Sequence, residues 1–332
     1  MLLSIVIPLY NEEESLDKLI EEIHETAEAE KYDLDVVFID DGSSDESWSI
    51  VERLSKEHDH IRGIRFRRNF GKAAGLDAGF LAAKGDFVMT MDADLQDDPH
   101  EIPEFLAQLE EENLDVISGW KKKRHDPWHK VLPSRVFNYM VSRLTGVWLH
   151  DHNCGMKCYR GEVVKEIRLY GELHRFVPVL AAARGFKIGE KVVQHRSREF
   201  GVSKYGVERF VKGFLDLLTV KFMTGYGKRP QHFLGTVGLT SFFVGGLWMS
   251  ILAFIWLLSR ILNSFGQWPF EGVYDLGGKP GVIYAAALLL LGAQLISTGV
   301  VAELLVANNP DHACDYAISE ETSVESTKES TN

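Results

Sequence analysis

Two aspartates one residue apart, Asp92-Ala93-Asp94, follow directly on the apolar run 87–91 and lead into Leu95-Gln96-Asp97-Asp98-Pro99. An Asp-x-Asp at a strand end sets two carboxylates on one side of a tight turn. Hard oxygen donors of that kind suit Mg²⁺ or Mn²⁺, above all when diphosphate oxygens complete the shell. Alone, the pair reads as a solvated acidic turn; its place straight after a buried run makes it specific. A second pair, Asp40-Asp41, closes the apolar run 35–39 and precedes Gly42-Ser43-Ser44-Asp45. Ser44 or Asp45 as a helix cap accounts for the end of that run and leaves the Asp pair unexplained. A third polar cluster, Tyr10-Asn11-Glu12, stands just after the run 3–7 and Pro8.

Other chemistries are less well served. Gly71, Gly75 and Gly79 are spaced four apart with no strand leading into them, which is not the GxGxxG of a dinucleotide fold. A helix starting at Gly71-Lys72 still offers exposed amides and a cation to a phosphate. There is no P-loop, HExxH or GxSxG elbow. The basic set Lys121-Lys122-Lys123-Arg124 reads equally as an anion-steering patch, an anionic-lipid patch or a solvated loop.

The elements that must position these clusters alternate. Strands are expected over 3–7, 35–39, 63–66 and 87–91, and helices over 13–27, 45–57 and 72–83, with Leu16, Leu19, Ile20 and Ile23 on one face of the first helix. Such alternation implies an α/β fold with a mostly parallel sheet and helices on both faces. Ligands of these sheets sit at the carboxyl ends of the strands, where all three polar clusters fall.

The second half changes character. Residues 233–262 carry only Arg260 near their end, and 282–307 only Glu303. Each exceeds the roughly 20 residues that cross a bilayer, and a pair of buried core helices is the alternative. Lys228, Arg229 and His232 precede the first span and the short loop after it has one lysine, which places the catalytic part and the C-terminal tail on the cytoplasmic side. Over 207–222 the residues Val207, Phe210, Val211, Phe214, Leu215, Leu218 and Phe222 recur at helical spacing. This segment either lies in the membrane interface or packs on the soluble part. The expected organisation is a catalytic domain over 1–205, a juxtamembrane amphipathic region over 206–232, two spans with a short external loop over 233–307, and an acidic, disordered tail over 308–332. Glycines 238, 245 and 246 suit close helix packing.

Composition sets limits. The net charge of −12 argues against nucleic-acid binding. Cys154, Cys158 and Cys314 form no CxxC pair, which points to a reduced compartment without a disulfide framework or zinc site. The apolar run 2–9 opens with no basic residue and reads as a buried strand, not a signal peptide.

Taken together, Ile7-Pro8-Leu9-Tyr10-Asn11-Glu12, Asp40-Asp41-Gly42-Ser43, Asn69-Phe70-Gly71-Lys72-Ala73 and Asp92-Ala93-Asp94-Leu95-Gln96 resemble family 2 glycosyltransferases of the Rossmann-like GT-A fold. More narrowly, the chain is similar to the dolichol-phosphate mannose synthase and bacterial polyprenyl-phosphate glycosyltransferase group. Asp151-His152-Asn153-Cys154-Gly155, Lys157-Cys158-Tyr159-Arg160, His174-Arg175-Phe176, His195-Arg196-Ser197-Arg198 and Gly201-Val202-Ser203-Lys204-Tyr205 match that group's later motifs, so the likeness covers about residues 3 to 306. Met156 departs from it, standing where relatives carry an aromatic or an acid, and weakens the carry-over of a role to Asp151.

The resemblance implies a membrane enzyme that moves one sugar from a UDP- or GDP-sugar to a polyprenyl or dolichyl phosphate. It implies that Pro8, Tyr10, Asn11, Glu12, Asp40 and Asp41 hold the base and ribose, with Gly71, Lys72 and Ala93 also at the donor. Asp92, Asp94 and Gln96 match the metal positions, and Asp92, Asp94 and Asp151 the catalytic acids. Lys121, Lys130, Ser134 and Arg135 fall where relatives meet the acceptor phosphate. Arg198, Ser203 and Lys204 would contact the diphosphate or close a lid. Relatives also assemble as homo-oligomers through their membrane helices. A processive polysaccharide synthase is disfavoured, because its Gln-x-x-Arg-Trp motif does not occur. The two spans disfavour a soluble-type transferase, and the intact Asp92 and Asp94 a non-catalytic membrane scaffold.

Overall fold

The computed structural model describes residues 1–122, 128–194, 196, 208–227, 229–266 and 280–308, the side chains of 128–130, 208–212 and 307 excepted. Two compact units are present, 1–221 and 222–332.

The first unit is built on a seven-stranded sheet: β1 (Leu2–Leu9), β2 (Asp33–Asp40), β3 (Ile61–Arg65), β4 (Phe87–Thr90), β5 (Val116–Trp120), β6 (Lys157–Arg160) and β7 (Ile188–Val192), in the order β3-β2-β1-β4-β6-β5-β7. All ladders are parallel except those of β6, which runs antiparallel to both β4 and β5. The alternation of β1 explains the layers. Leu3, Ile5 and Ile7 point into one core with Leu16, Leu19 and Ile23 of α1 (Leu16–Glu30), Val51 and Leu54 of α2 (Ser47–Glu57), and Phe105 and Leu109 of α4 (Ile102–Glu111). Val6 points the other way, toward Leu76 and Phe80 of α3 (Lys72–Ala82). That second core also takes in Phe137 and Val141 of α5 (Trp128–Thr145), Val163 and Val164 of α6 (Gly161–Glu166) and Val179 of α7 (Val177–Arg184). Strands buried on both faces read as continuous apolar runs, and β1, β2 and β4 do.

The glycines spaced four apart have a packing reason. A Cβ on Gly79 would lie 2.2 Å from Val6 Cγ1 and one on Gly75 3.3 Å from Pro8 Cβ, so α3 lies directly on β1.

Helix α8 (Glu208–Tyr226) divides its apolar residues. Leu217 and Val220 are buried in the second core, whereas Phe214, Leu215 and Leu218 are exposed. The helix therefore packs on the first unit with one face and leaves a second apolar face open.

The second unit is a hairpin of α9 (Pro230–Ser264) and α10 (Pro280–Ala307), both long and apolar enough to cross a membrane. Only 6% of the most apolar window of α9 and 17% of that of α10 is buried, which a core helix of a soluble domain would not show. The small residues face inward: a Cβ on Gly238 would meet the Gly292 carbonyl oxygen at 2.8 Å, one on Gly245 the Ala285 carbonyl oxygen at 2.9 Å, and one on Gly246 Leu289 Cδ2 at 3.7 Å. These glycines bring the two spans of one chain together, the close helix packing expected of them.

Candidate active site

The reversed direction of β6 assembles the site. Thr90 at the end of β4 pairs with Lys157 at the start of β6, so the residues before β6 lie beside those after β4. Thr90 Oγ1 donates to the Gly155 carbonyl at 2.8 Å. Gly155 in turn lies against Asp92: a Cβ there would be 2.6 Å from Asp92 Oδ2.

The acidic turn is held from within. Asp92 N–H donates to Asp97 Oδ2 at 3.1 Å, and Gln96 N–H to Asp94 Oδ1 at 3.2 Å. Leu95 has φ of 60°, a left-handed conformation that a non-glycine residue keeps only where its surroundings enforce it; its buried side chain supplies that anchor. Lys72, the first residue of α3, forms an ion pair with Asp92 Oδ1. Lys121, just past β5, lies 3.0 Å from Asp97 Oδ1, with both side chains largely buried.

The charges follow from these contacts. Burial works against an ionised Asp92, but Lys72 and Lys121 outweigh it and hold the carboxyl down at about 2. Burial likewise opposes charge on Lys72, and the pairing with Asp92 more than compensates, so it stays an ammonium. Lys157, fully enclosed, is pushed down by burial and donates to the Cys154 carbonyl. Burial pushes the Cys154 thiol up to about 12, leaving it neutral.

The expected donor-binding clusters lie at the carboxyl ends of β1 and β2. Asn11, itself left-handed at φ of 57°, accepts the Ser44 N–H at 2.9 Å, and its own N–H donates to Ser43 Oγ at 2.9 Å. Glu12 N–H donates to Ser47 Oγ at 2.9 Å. Asp40 is buried, accepts the Ser43 N–H at 2.8 Å and faces Arg65 Nε at 3.1 Å. Asp41 accepts the Phe70 N–H at 2.6 Å and the Gly71 N–H at 2.9 Å. The Gly71 amide, at the helix start expected to face a phosphate, is thus taken by Asp41, which orients the loop before α3. Tyr10 is exposed, and Pro8 packs beneath Gly75. An open pocket of 360 Å³ lined by Gly42, Ser43, Arg65, Phe66 and Arg67 adjoins this region.

Asp151 is buried; its N–H donates to Glu190 Oε1 at 3.0 Å and its Oδ1 accepts the Asn153 N–H at 3.1 Å. Met156, the departure from the family pattern, is a buried core residue. Ser134 and Arg135 lie on α5, the latter exposed. Lys130 lies on the same helix, but its side chain falls outside the described ones, as do Arg198, Ser203 and Lys204 altogether. Arg196 sits at the edge of that segment. Its guanidinium bridges Glu22 and Asp98, both at 2.7 Å, and its N–H donates to the Gln96 carbonyl at 3.3 Å.

Sequence reasoning left Asp97, Gly155 and Lys157 without roles. Asp97 and Lys157 stand inside quoted motifs, yet only the β4–β6 pairing shows them around one carboxylate.

The donor set fits a hard divalent cation. Asp92 and Asp94 offer carboxylates, Gln96 an amide oxygen, and the neighbouring thiol is protonated and does not compete. Among the described residues the two groups of three close ligand atoms are elsewhere, at His24-His58-His60 and Glu22-Asp98-His100, so an ion on the turn needs oxygens from the donor or water.

A mostly parallel sheet covered on both faces, with an acidic turn at its carboxyl edge, is the GT-A class of glycosyltransferase fold. The Glycosyl transferase family 2 model matches residues 4–168. The dodecaprenyl-phosphate galacturonate synthase of Rhizobium johnstonii is 38% identical over 307 residues, 91% of this chain and 87% of that one. The chain belongs to glycosyl transferase family 2. Among solved structures, Mycobacterium tuberculosis glucosyl-3-phosphoglycerate synthase with Mn²⁺, UDP and glucosyl-3-phosphoglycerate gives a TM-score of 0.52 at 14% identity, over 67% of this chain and 79% of its own. The same enzyme with Mn²⁺ and UDP-glucose gives 0.51 at 15%, over 67% and 78%. At such identities the likeness concerns the fold.

Proposed function

We infer that the protein transfers one sugar from a UDP- or GDP-sugar to a polyprenyl or dolichyl phosphate at the cytoplasmic membrane face, with inversion at the anomeric carbon. The observation that carries this reading is the 38% identity, over 91% of the chain, to a relative named for polyprenyl-phosphate glycosylation. The acidic turn supports it independently, since it presents an ionised Asp92 among lysines in a chain with two candidate spans.

In this reading Asp92, Asp94 and Gln96 hold Mg²⁺ or Mn²⁺. When bound, that ion neutralises charge on the departing nucleoside diphosphate as a Lewis acid. The anomeric carbon–oxygen bond to the diphosphate breaks as the bond to the acceptor phosphate oxygen forms on the opposite face, through an oxocarbenium-like state. The acceptor phosphate is already an anion, so the step requires no strong general base. What it requires is cationic surroundings that let two anions approach. Lys72 and Lys121 supply fixed positive charge at the turn, and Lys121 keeps Asp97, and through it the Asp92 amide, in place. Lys130, Ser134 and Arg135 meet the lipid phosphate; Arg198, Ser203 and Lys204 meet the diphosphate. Pro8, Tyr10, Asn11, Glu12, Asp40 and Asp41 frame the nucleoside, Gly71 and Ala93 border the donor, and Asp151 is a buried positioning acid. Lys228, Arg229 and His232, which precede the apolar run from Phe233, favour a cytoplasmic catalytic unit. Any assembly of copies uses the outward faces of the spans, with Phe243, Leu247 and Phe254.

The test incubates membranes containing the protein with polyprenyl phosphate and radiolabelled UDP-galacturonate, UDP-glucose and GDP-mannose, and extracts lipid-linked product. One labelled lipid bearing a single sugar is expected. A polymer would favour the processive reading, and no lipid product with any donor would overturn the proposal.

A further inference from the structure

Three histidines meet at a place the glycosyl-transfer chemistry does not use. His24 lies on α1, His58 follows the last residue of α2, and His60 immediately precedes β3. Their ring nitrogens come within 4.8 Å of one another, with His24 Nε2 and His60 Nε2 2.8 Å apart. The ring centroids are separated by 4.7, 5.0 and 5.5 Å. All three side chains are half-buried, enclosed enough to be held and open enough for an ion to reach. The cluster stands at the amino end of β3, whereas the acidic turn follows the carboxyl end of β4.

We propose that His24, His58 and His60 form a binding site for a borderline first-row divalent cation of the Zn²⁺ class, with water as fourth ligand. Three imidazoles and an open position are a recurrent ligand set for Zn²⁺, and imidazole suits Cu²⁺ and Ni²⁺ equally. Tetrahedral ligands at 2.0–2.1 Å from the ion place their nitrogens about 3.3 Å apart. The His24–His60 pair, at 2.8 Å, is slightly closer than that, and all three ligand nitrogens lie within 4.8 Å of one another, so the set is near the spacing an ion needs. Metal ligation requires neutral imidazole. Burial, and then the neighbouring histidines, depress the protonation of His24 and His60. Glu28 near His24 and Asp59 near His60 supply the negative charge that offsets a bound dication. The other close group, Glu22-Asp98-His100, is a weaker candidate because the Arg196 guanidinium already lies on both acids. An ion at the histidines would add a second tie between α1 and the α2–β3 connection beside the His24–His60 hydrogen bond of 2.8 Å.

The experiment uses the full chain in detergent, stripped with chelator, in an Asp92→Asn/Asp94→Asn background that removes the acidic turn as a competing site. Co²⁺ titration is expected to give the intense visible bands of four-coordinate cobalt at one ion per chain, displaced by Zn²⁺. His24→Asn and His60→Gln are each expected to weaken Co²⁺ binding by about tenfold or more and to abolish the bands. Bands and affinity that persist in both variants overturn the site. Cu²⁺ electron paramagnetic resonance on the chain with all three histidines intact removes any dependence on variant folding. Couplings from several nitrogens support the site, and their absence overturns it.

Discussion

Gly155 and Asp92 touch so closely that the first atom of any side chain at 155 would lie 2.6 Å from Asp92 Oδ2. The glycine comes from the loop before β6 and the aspartate from the turn after β4, and Thr90 Oγ1 fixes their spacing through the Gly155 carbonyl. Gly155→Ala should therefore displace the Asp92 carboxylate with little change in fold. The expected result is a fall of about 100-fold in kcat, the usual cost of a misplacement near 1 Å. Turnover with circular dichroism as a folding control checks it, and unchanged kcat would show that Asp92 does not depend on this contact.

Asp94→Ala should abolish sugar transfer and leave the protein folded and membrane-bound. Its carboxylate organises the turn by accepting the Gln96 N–H and is the second acid offered to a cation. Product extraction from membranes with confirmed protein levels decides this, and normal turnover removes the metal assignment.

Lys72→Met removes the charge that does most to keep Asp92 at about 2 against burial. The Asp92 carboxyl then moves up toward the ordinary range, so the acid limb of the kcat profile should shift to higher pH. At neutral pH the loss of the cation beside Asp92 should cost about 100-fold or more. A variant whose acid limb stays in place would mean that Lys72 does not control this carboxylate.

His152 is fully buried beside Lys157, with Nε2 3.1 Å from Ser142 Oγ. Burial, reinforced by Lys157 and opposed by Asp151, holds it down at about 4 from an ordinary 6.5. Between these values the unfolded chain binds a proton that the native chain refuses, so stability is complete above pH 6.5 and declines as pH falls toward 4. The loss over that window is about 3 kcal/mol at most. Denaturant midpoints of the catalytic unit at pH 7 and pH 5 should differ accordingly, and His152→Gln should flatten the dependence. An equal slope in the variant would assign acid sensitivity elsewhere.

Gly292→Val should separate α9 from α10, because a Cβ there would lie 2.6 Å from the Gly238 carbonyl oxygen. Close approach of apolar helices in a bilayer depends on such small residues. Thermal aggregation in detergent should begin at a lower temperature in the variant while donor binding persists. An unaltered aggregation profile would show that this contact contributes little.

Much of this molecule was legible locally. The strands expected over 3–7, 35–39 and 87–91 fall inside or within a residue of β1, β2 and β4, because strands buried on both faces form unbroken apolar runs. The expected start of α1 was early by three residues. Residues 13–15 form a turn before the helix, in which Glu13 accepts the Glu46 N–H at 2.7 Å and Ser15 donates to the Glu12 carbonyl. The apolar stripe over 207–222 left two readings open, and the structure supports the packed one: Leu217 and Val220 lie in the second core, while Phe214, Leu215 and Leu218 are exposed.

Sequence by itself determined the period of each element, the acidic turn at the end of β4 and the two long apolar helices, since each depends on residues adjacent along the chain. Only the tertiary structure decided that β6 runs against its neighbours, that Gly155 and Lys157 therefore border Asp92, and that Asp41 serves the loop before α3. Strand direction and cross-chain pairing are settled by how much apolar surface the whole sheet buries and by which polar groups then find partners. No short window of residues carries that sum.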